Sequence, residues 1–281
     1  MLFRRKIKST DDHGTTADGL RTALQRWATS QTRTAWRPIV TAGEPESSIS
    51  KFCGASVTRA GESVPICKLC GRALQLFVQL DLAALPTGEF GSGVLQLFYC
   101  IGQSPHQEPD GYPDCWAEGA WVPFSDEASL VRVVAADSLS SPSSSNDSTV
   151  PAQSIVGWDP FDDVPDPEDH ASCGLDRKYD FTLRMVTLSC PSVGVESTVG
   201  IDELQVEDIA SAAEQDKLGG WPRWIQGAEY PSCPTCDTRM RLVFQLDSED
   251  HVPYMFGDSG IGHITQCPTH HDVVAFGWAC G

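Results

Sequence analysis

The sequence predicts an α+β protein made of two pseudo-repeated, mainly antiparallel β units, together with a few short helices. Three observations support this class. The 281-residue chain aligns with itself, so that Lys51 falls on Lys217 and Cys67 falls on Cys233. Each aligned half contains a CxxC pair that is followed by two more cysteines. After each CxxC pair, apolar residues alternate with polar ones, which is typical of a half-buried strand.

The self-alignment also predicts how the chain is divided. Apolar residues at helical spacing, among them Leu20, Leu24 and Trp27, follow a possible N-cap at Asp18 and predict one helix near the N-terminus. The alanine and charge content of residues 203–217 predicts another short helix before the second repeat. The predicted units are an N-terminal polar segment and helix (1–49), a first β repeat (50–136), a Ser/Pro-rich and acidic insert (137–200) and a second β repeat (201–281).

The cysteines of each repeat have the spacing of a zinc site. A CxxC turn presents two thiolates from one tight loop, and tetrahedral zinc needs two more ligands from elsewhere in the chain. His270 competes with Cys280 for the last position, but the repeat offers Cys115 as a counterpart of Cys280 and so favours the cysteine. The predicted ligands are Cys67, Cys70, Cys100 and Cys115 for one zinc ion and Cys233, Cys236, Cys267 and Cys280 for the other, with His270 as the substitute for Cys280.

Net charge limits the kinds of partner. The chain carries 20 basic and 38 acidic side chains, for a formal charge of −18. Nucleic acids are disfavoured, because they require clustered lysine and arginine. An acidic surface favours a basic protein partner instead. The sequence shows neither a secretory signal nor an apolar run of membrane-spanning length, so we expect a cytoplasmic protein without a membrane partner.

We expect no enzyme. Four thiolates leave zinc no open coordination position, and the sequence contains no phosphate-binding glycine motif or nucleophile elbow. The alternative is an enzyme with a site between the two repeats, built on His251, Asp258 or a free cysteine. For a binding protein, Trp221 and Trp224 are the candidate partner-binding residues, since tryptophan is frequently an anchor in interfaces.

Several motifs resemble known families. The most specific runs from Gly262 through Cys267 to Cys280, and with Cys67-Lys-Leu-Cys70 and Leu95-Gln-Leu-Phe-Tyr-Cys100 it resembles the bacterial YwqG-like domain of unknown function. That resemblance implies a protein-binding module, such as an immunity protein that neutralises a toxin. Residues 218–226 and Cys233-Pro-Thr-Cys236 look like the programmed cell death protein 2 family. The second resemblance implies a chaperone of a basic ribosomal protein.

Overall fold

A computed structural model of the protein describes residues 17–45, 49–102, 115, 122–139, 149–203 and 210–281. Within these ranges the chain forms one α-helix and thirteen β-strands, joined by turns and three-residue 3-10 segments. The elements are α1 (Ala17–Ser30), β1 (Arg33–Ala42), β2 (Lys51–Phe52), β3 (Gln75–Asp81), β4 (Val94–Tyr99), β5 (Ser129–Val134), β6 (Gln153–Asp163), β7 (Asp176–Asp180), β8 (Met185–Cys190), β9 (Val195–Gly200), β10 (Lys217–Gly219), β11 (Arg241–Asp247), β12 (Ile261–Gln266) and β13 (Val274–Ala279).

The predicted α+β class is wrong, because the described chain is mostly β with a single α-helix. The helix that was predicted at 203–217 shows the cause. Residues 204–209 of it lie outside the described part, residues 210–216 are not helical, and Lys217 begins a buried strand. Pairing between distant strands has overridden local helix propensity there.

Ten of the strands form one antiparallel sheet in the order β13-β12-β11-β10-β1-β6-β2-β3-β4-β5. The two strands at the ends of this order, β5 and β13, pack against each other, and the Phe276 amide donates to the Pro123 carbonyl at 3.0 Å. The sheet therefore curves almost into a barrel. Its interior holds the largest apolar cluster, which includes Phe52, Tyr99, Phe244 and Trp278.

The first flank of this sheet is β2-β3-β4-β5 and the second flank is β10-β11-β12-β13. The two flanks pair their strands in the same register. Lys51 of β2 lies opposite Gln79 of β3, and Lys217 of β10 lies opposite Gln245 of β11, which are the positions that the self-alignment matches. The β3–β4 and β11–β12 pairs carry a bulge at the equivalent place, after Leu76 and after Leu242. The flanks thus share their hydrogen-bonding pattern as well as their sequence motifs.

The centre of the sheet exchanges strands between the flanks. β1 comes before the first flank in sequence, yet it pairs with β10 of the second flank as well as with β6. β6 pairs with β2 of the first flank. The predicted insert at 137–200 therefore contains a central strand, while the predicted domain limits themselves stay a prediction.

A smaller sheet, β7-β8-β9, packs against α1. Leu20, Leu24 and Trp27 are fully buried in this second core, as their helical spacing predicts. The Trp27 indole nitrogen also donates to the Cys173 carbonyl at 3.0 Å. Among the described residues, no helix is both long and apolar enough to cross a membrane.

Candidate metal centres

The first cysteine cluster is built on a tight turn that carries both cysteines of the CxxC pair. The Cys67 amide donates to the Arg72 carbonyl and the Gly71 amide donates to the Cys67 carbonyl, both at 2.8 Å. Gly71 has a φ of 73°, a left-handed conformation that glycine adopts without a Cβ clash. The turn therefore points Cys67 and Cys70 to the same side, and Cys100 meets them from the end of β4.

All four predicted ligands of this cluster come together. The Sγ atoms of Cys67 and Cys115 are 3.7 Å apart, and those of Cys70 and Cys100 are also 3.7 Å apart. All four sulfur atoms lie within 4.8 Å of one another. Zinc–sulfur bonds of about 2.3 Å in a tetrahedron place the sulfur atoms about 3.8 Å apart. The four thiols are thus spaced to hold one metal ion.

The second cluster stands on an equivalent turn. The Cys233 amide donates to the Thr238 carbonyl at 2.9 Å, and the Asp237 amide donates to the Cys233 carbonyl at 2.8 Å. Asp237 has a φ of 57° and occupies the position that Gly71 has in the first turn. Aspartate is among the few residues that tolerate this conformation, so the turn keeps its shape.

His270 completes the second cluster, and Cys280 does not. The Nδ1 atom of His270 lies 3.8 Å from Cys233 Sγ and 3.6 Å from Cys267 Sγ, while Cys236 Sγ is 3.6 Å from Cys267 Sγ. A tetrahedral zinc ion with one imidazole and three thiolates would set nitrogen and sulfur about 3.6 Å apart. The histidine that the sequence offered as a substitute is therefore the residue that the fold brings in.

The register of the last hairpin explains why Cys280 is excluded. β12 and β13 are antiparallel, with Ile261 opposite Ala279, so Cys280 lies beside the start of β12 whereas Cys267 follows its end. The length of β12 separates the two cysteines by about 20 Å. His270 lies in the turn between these strands, next to Cys267.

Cys280 has a different environment. Its sulfur lies against Gly257, where an added Cβ would be 2.5 Å away, and it packs on the main core. Its carbonyl accepts a hydrogen bond from the Gln226 side chain at 2.7 Å. These contacts are those of a small apolar side chain at the edge of a core.

The two clusters differ in exposure and charge. Burial raises the pKa of the Cys100 thiol to about 12. The Cys236 thiol is exposed, and hydrogen bonds from the hydroxyl and amide of Thr238 lower its pKa to about 6. A metal ion bound in either cluster would favour the thiolate form of its cysteines. In the buried cluster, where the pKa of Cys100 is raised, the ion would have to displace a more tightly held proton.

A third group joins the two flanks and contains His251, one of the residues on which the enzyme alternative was built. His251 Nδ1 lies 2.9 Å from Asp216 Oδ2 and 3.4 Å from Asp250 Oδ1. The His251 ring stacks on Phe52 of the opposite flank, at 4.8 Å and an interplanar angle of 9°. Burial raises the pKa of Asp216 to about 6, and the hydrogen bond to Asp216 raises the pKa of His251.

Repeat equivalence assigns this group a structural role. Asp216 Oδ1 accepts the Asp247 amide at 2.6 Å, and Ser50, which the self-alignment matches to Asp216, accepts the Asp81 amide at 2.9 Å through its hydroxyl. Asp216 therefore accepts a hydrogen bond from the amide at the end of β11, as Ser50 does from the equivalent amide of β3 in the first flank. No motif in the sequence marks His251 as the partner of Asp216.

The two tryptophans predicted as partner anchors are buried. Trp224 donates from its indole nitrogen to Asp169 at 3.0 Å inside the protein. The Trp221 indole nitrogen donates to the Gln31 carbonyl at 2.9 Å, and Trp221 is among the residues that line a surface groove. Cys53, one of the cysteines outside the two clusters, is also buried, and burial raises its pKa to about 12.

The fold and the two clusters define a mainly β protein with two possible metal centres. The chain belongs to the family described as a domain of unknown function, DUF1963, whose profile matches residues 50–269. This confirms the resemblance to the YwqG-like domain, which is that family. The resemblance to the programmed cell death protein 2 family stays a prediction.

One curated relative is similar over a short stretch. The uncharacterized protein YpfL of Salmonella typhimurium is 50% identical over 34 residues, which is 12% of this chain. The match spans only 8% of that relative's length. It adds no activity or partner to the family assignment.

Proposed function

We propose that this protein is a non-enzymatic β module, stabilised by two structural zinc ions, that acts by binding a protein partner. The observation that carries the proposal is an exposed apolar tip on the β7–β8 hairpin, formed by Tyr179, Phe181 and Leu183. Phe181 is 79% exposed and Leu183 is 69% exposed. Large apolar side chains that are clustered and exposed mark interaction sites.

The tip is held in shape before any partner arrives. Asp180 pairs with Met185 across the hairpin, and one Asp180 carboxylate oxygen accepts the amides of Thr182 and Leu183, each at 3.0 Å. The rings of Tyr179 and Phe181 stack at 5.7 Å with an interplanar angle of 12°. A rigid aromatic pair loses little conformational entropy on binding, which suits an anchor.

The metal clusters support a structural use of zinc. Soft thiolate and imidazole ligands suit zinc, and four protein ligands leave the ion no position for water or substrate. Each cluster also packs into a small apolar core, with Leu76 and Phe98 beside the first and Met240 beside the second. Zinc bound in this way contributes to folding and leaves function to the surface.

Charge favours a basic partner. The formal charge of −18 accelerates encounter with a positively charged protein and disfavours acidic ones. A toxin neutralised by binding and a ribosomal protein shielded by a chaperone both belong to this class. The enzyme alternative has less support, since burial raises the pKa of the Cys53 thiol to about 12, and Asp216, the partner of His251, fills the place that Ser50 has in the first flank.

An affinity-capture experiment with matched variants tests the proposal. The zinc-loaded 281-residue chain and its Phe181→Ser and Val156→Ser variants are used as baits in a lysate of the source organism, and retained proteins are quantified by mass spectrometry. Val156 is a matched control, because it is an apolar residue 62% exposed on β6 of the large sheet. We expect one basic protein to be retained by the wild type and Val156→Ser, and at least tenfold less by Phe181→Ser.

The identity of that partner separates the specific roles. A toxin indicates an immunity protein, and a ribosomal protein indicates a chaperone. Retention that is equal for all three baits would contradict binding through the tip. Turnover of a small molecule that is lost in His251→Gln would favour the enzyme alternative.

A further inference from the structure

A groove rich in arginine opens beside the second metal turn, on a chain that is otherwise strongly acidic. It has a volume of about 540 Å³ and is lined by residues from the end of α1, the start of β1, Ser172 and Cys173, and the segment from 221 to 242. A neighbouring cavity of about 530 Å³ shares Arg33, Arg241 and Leu242 with it. We call this continuous surface the arginine groove, and it contains Arg33, Arg239 and Arg241.

Two of these arginines are stacked on aromatic rings, one on the buried Trp221 and one on the half-buried Tyr230. The guanidinium carbon of Arg33 lies 3.3 Å from the centre of the Trp221 ring, and that of Arg239 lies 3.4 Å from the Tyr230 ring. Both rings are themselves fixed, Trp221 by its bond to Gln31 and Tyr230 by donating its hydroxyl to a buried carboxylate at 2.8 Å. Stacking orients the guanidinium plane and leaves the N–H groups at its edge free to bind oxyanions in pairs.

The carboxylates near the groove neutralise it only in part. Asp169 is buried and accepts from Arg239 at 3.1 Å, but it also accepts from the Trp224 indole and the Tyr230 hydroxyl. Its negative charge is therefore shared among three donors. Arg239 keeps half of its side chain exposed.

The other two arginines differ in how far they are engaged. Arg241 is 32% exposed, donates to the Glu89 carbonyl and lies 3.5 Å from the exposed Glu89 carboxylate, which water can solvate. In the part of the chain that the structure describes, Arg33 has no carboxylate within ion-pair distance. The groove thus offers partly uncompensated guanidinium groups, two of which are fixed by stacking on Trp221 and Tyr230.

We propose that the arginine groove is a binding site for the oxyanion group of a small molecule, either a phosphate or a carboxylate. Arg33 and Arg239 hold the anion through paired N–H donors, and Trp221 and Tyr230 support the two guanidinium groups from beneath. The site is separate from the apolar tip on the β7–β8 hairpin. Its ligand is also opposite in charge to the basic partner proposed above.

Titration of the zinc-loaded 281-residue chain with inorganic phosphate, and separately with citrate, tests this site. Binding is followed by calorimetry and by the change in intrinsic tryptophan fluorescence, at constant ionic strength set with chloride. We expect saturable binding of at least one anion, weakened at least tenfold in Arg33→Gln and in Arg239→Gln. The anion that binds more tightly identifies the source chemistry.

Arg37→Gln is the matched control. Arg37 lies on the same strand as Arg33 and also covers an aromatic ring, Phe161 at 4.2 Å, but it pairs with Asp159 outside the groove. Its variant should bind the anion like the wild type, and so should Phe181→Ser, whatever the outcome of the partner capture. Absence of saturable binding, or an equal loss in Arg37→Gln, would overturn the proposal. Unchanged affinity in Arg33→Gln, with melting temperature and zinc content also unchanged, would overturn it too.

Discussion

Replacing Lys217 by methionine should destabilise the protein far more than the same replacement at the equivalent position of the first repeat. The Lys217 ammonium lies 2.8 Å from an Asp163 carboxylate oxygen, and their side chains are 0% and 1% exposed. Without the lysine, Asp163 keeps two amide donors, from Ala213 at 2.9 Å and Trp221 at 2.8 Å. Removing one partner of a buried pair leaves an uncompensated buried charge, which costs about 3–5 kcal/mol.

Lys51→Met is the internal control, because Lys51 occupies the same place in the sheet of the first flank. Lys51 is buried and contacts Glu44 and the Ala55 carbonyl. The Glu44 side chain is 51% exposed, so water can solvate it once the lysine has gone. The expected loss is therefore smaller, about 1–2 kcal/mol, and comes mainly from the unpaired carbonyl.

Denaturant unfolding of the zinc-loaded variants measures both losses by linear extrapolation. The double variant Asp163→Asn with Lys217→Met should recover part of the stability, because it removes the buried charge as well as its partner. A loss for Lys217→Met no larger than that for Lys51→Met would refute the reasoning. It would show that the buried carboxylate finds other compensation.

Two further predictions concern the metal clusters and the pH dependence of stability. Metal analysis should find two zinc ions per chain in the wild type and in Cys280→Ser, but one in Cys236→Ser, and chelation should lower the melting temperature; loss of an ion in Cys280→Ser would contradict the cluster geometry. The free energy of unfolding should fall as the pH rises above 6.5, because the hydrogen bond to Asp216 raises the pKa of His251 and the folded state holds that proton more tightly. This stabilising contribution is fully present below the pKa that His251 has in the unfolded chain, and it is lost as the pH rises through the raised pKa of His251 in the folded protein. His251→Gln should therefore flatten the profile above pH 6.5, and an unchanged slope would contradict the pairing.

The cysteine clusters could largely be predicted from the sequence because their ligands follow local rules. Each CxxC turn is recognised from a few neighbouring residues, and the next cysteine follows directly after an apolar strand. Cys67, Cys70 and Cys100 are therefore located from the sequence pattern alone. The fourth ligand must lie near the strand end that carries the third cysteine, and spacing along the sequence does not show which end of a strand a residue is near. His270 lies in the turn after Cys267, as Cys115 lies between β4 and β5, and this topological signal could have excluded Cys280.

The centre of the sheet could not be predicted in the same way. β6 has the sequence Gln153-Ser-Ile-Val-Gly-Trp-Asp-Pro-Phe-Asp-Asp163, with Pro160 and three aspartates, and its burial does not alternate. Its strand conformation comes from pairing with β1 along nearly its whole length, from Arg33 opposite Asp163 to Ala42 opposite Gln153. Such pairing is a property of residues more than a hundred positions apart, which no local pattern records.

Strand exchange at the centre of the sheet makes the stability of each flank depend on the other. β1 joins the second flank and β6 joins the first, so neither flank retains all its strand partners without the other. The β7–β8–β9 sheet, in contrast, is inserted between β6 and β10 and packs mainly on α1. The apolar tip lies at a turn of this peripheral sheet, so Phe181→Ser should leave the melting temperature unchanged. Cys236→Ser removes a ligand next to β11 of the main sheet and should lower it. A tip variant that lost stability together with its partner would place Phe181 in the core and remove the basis for a binding surface there.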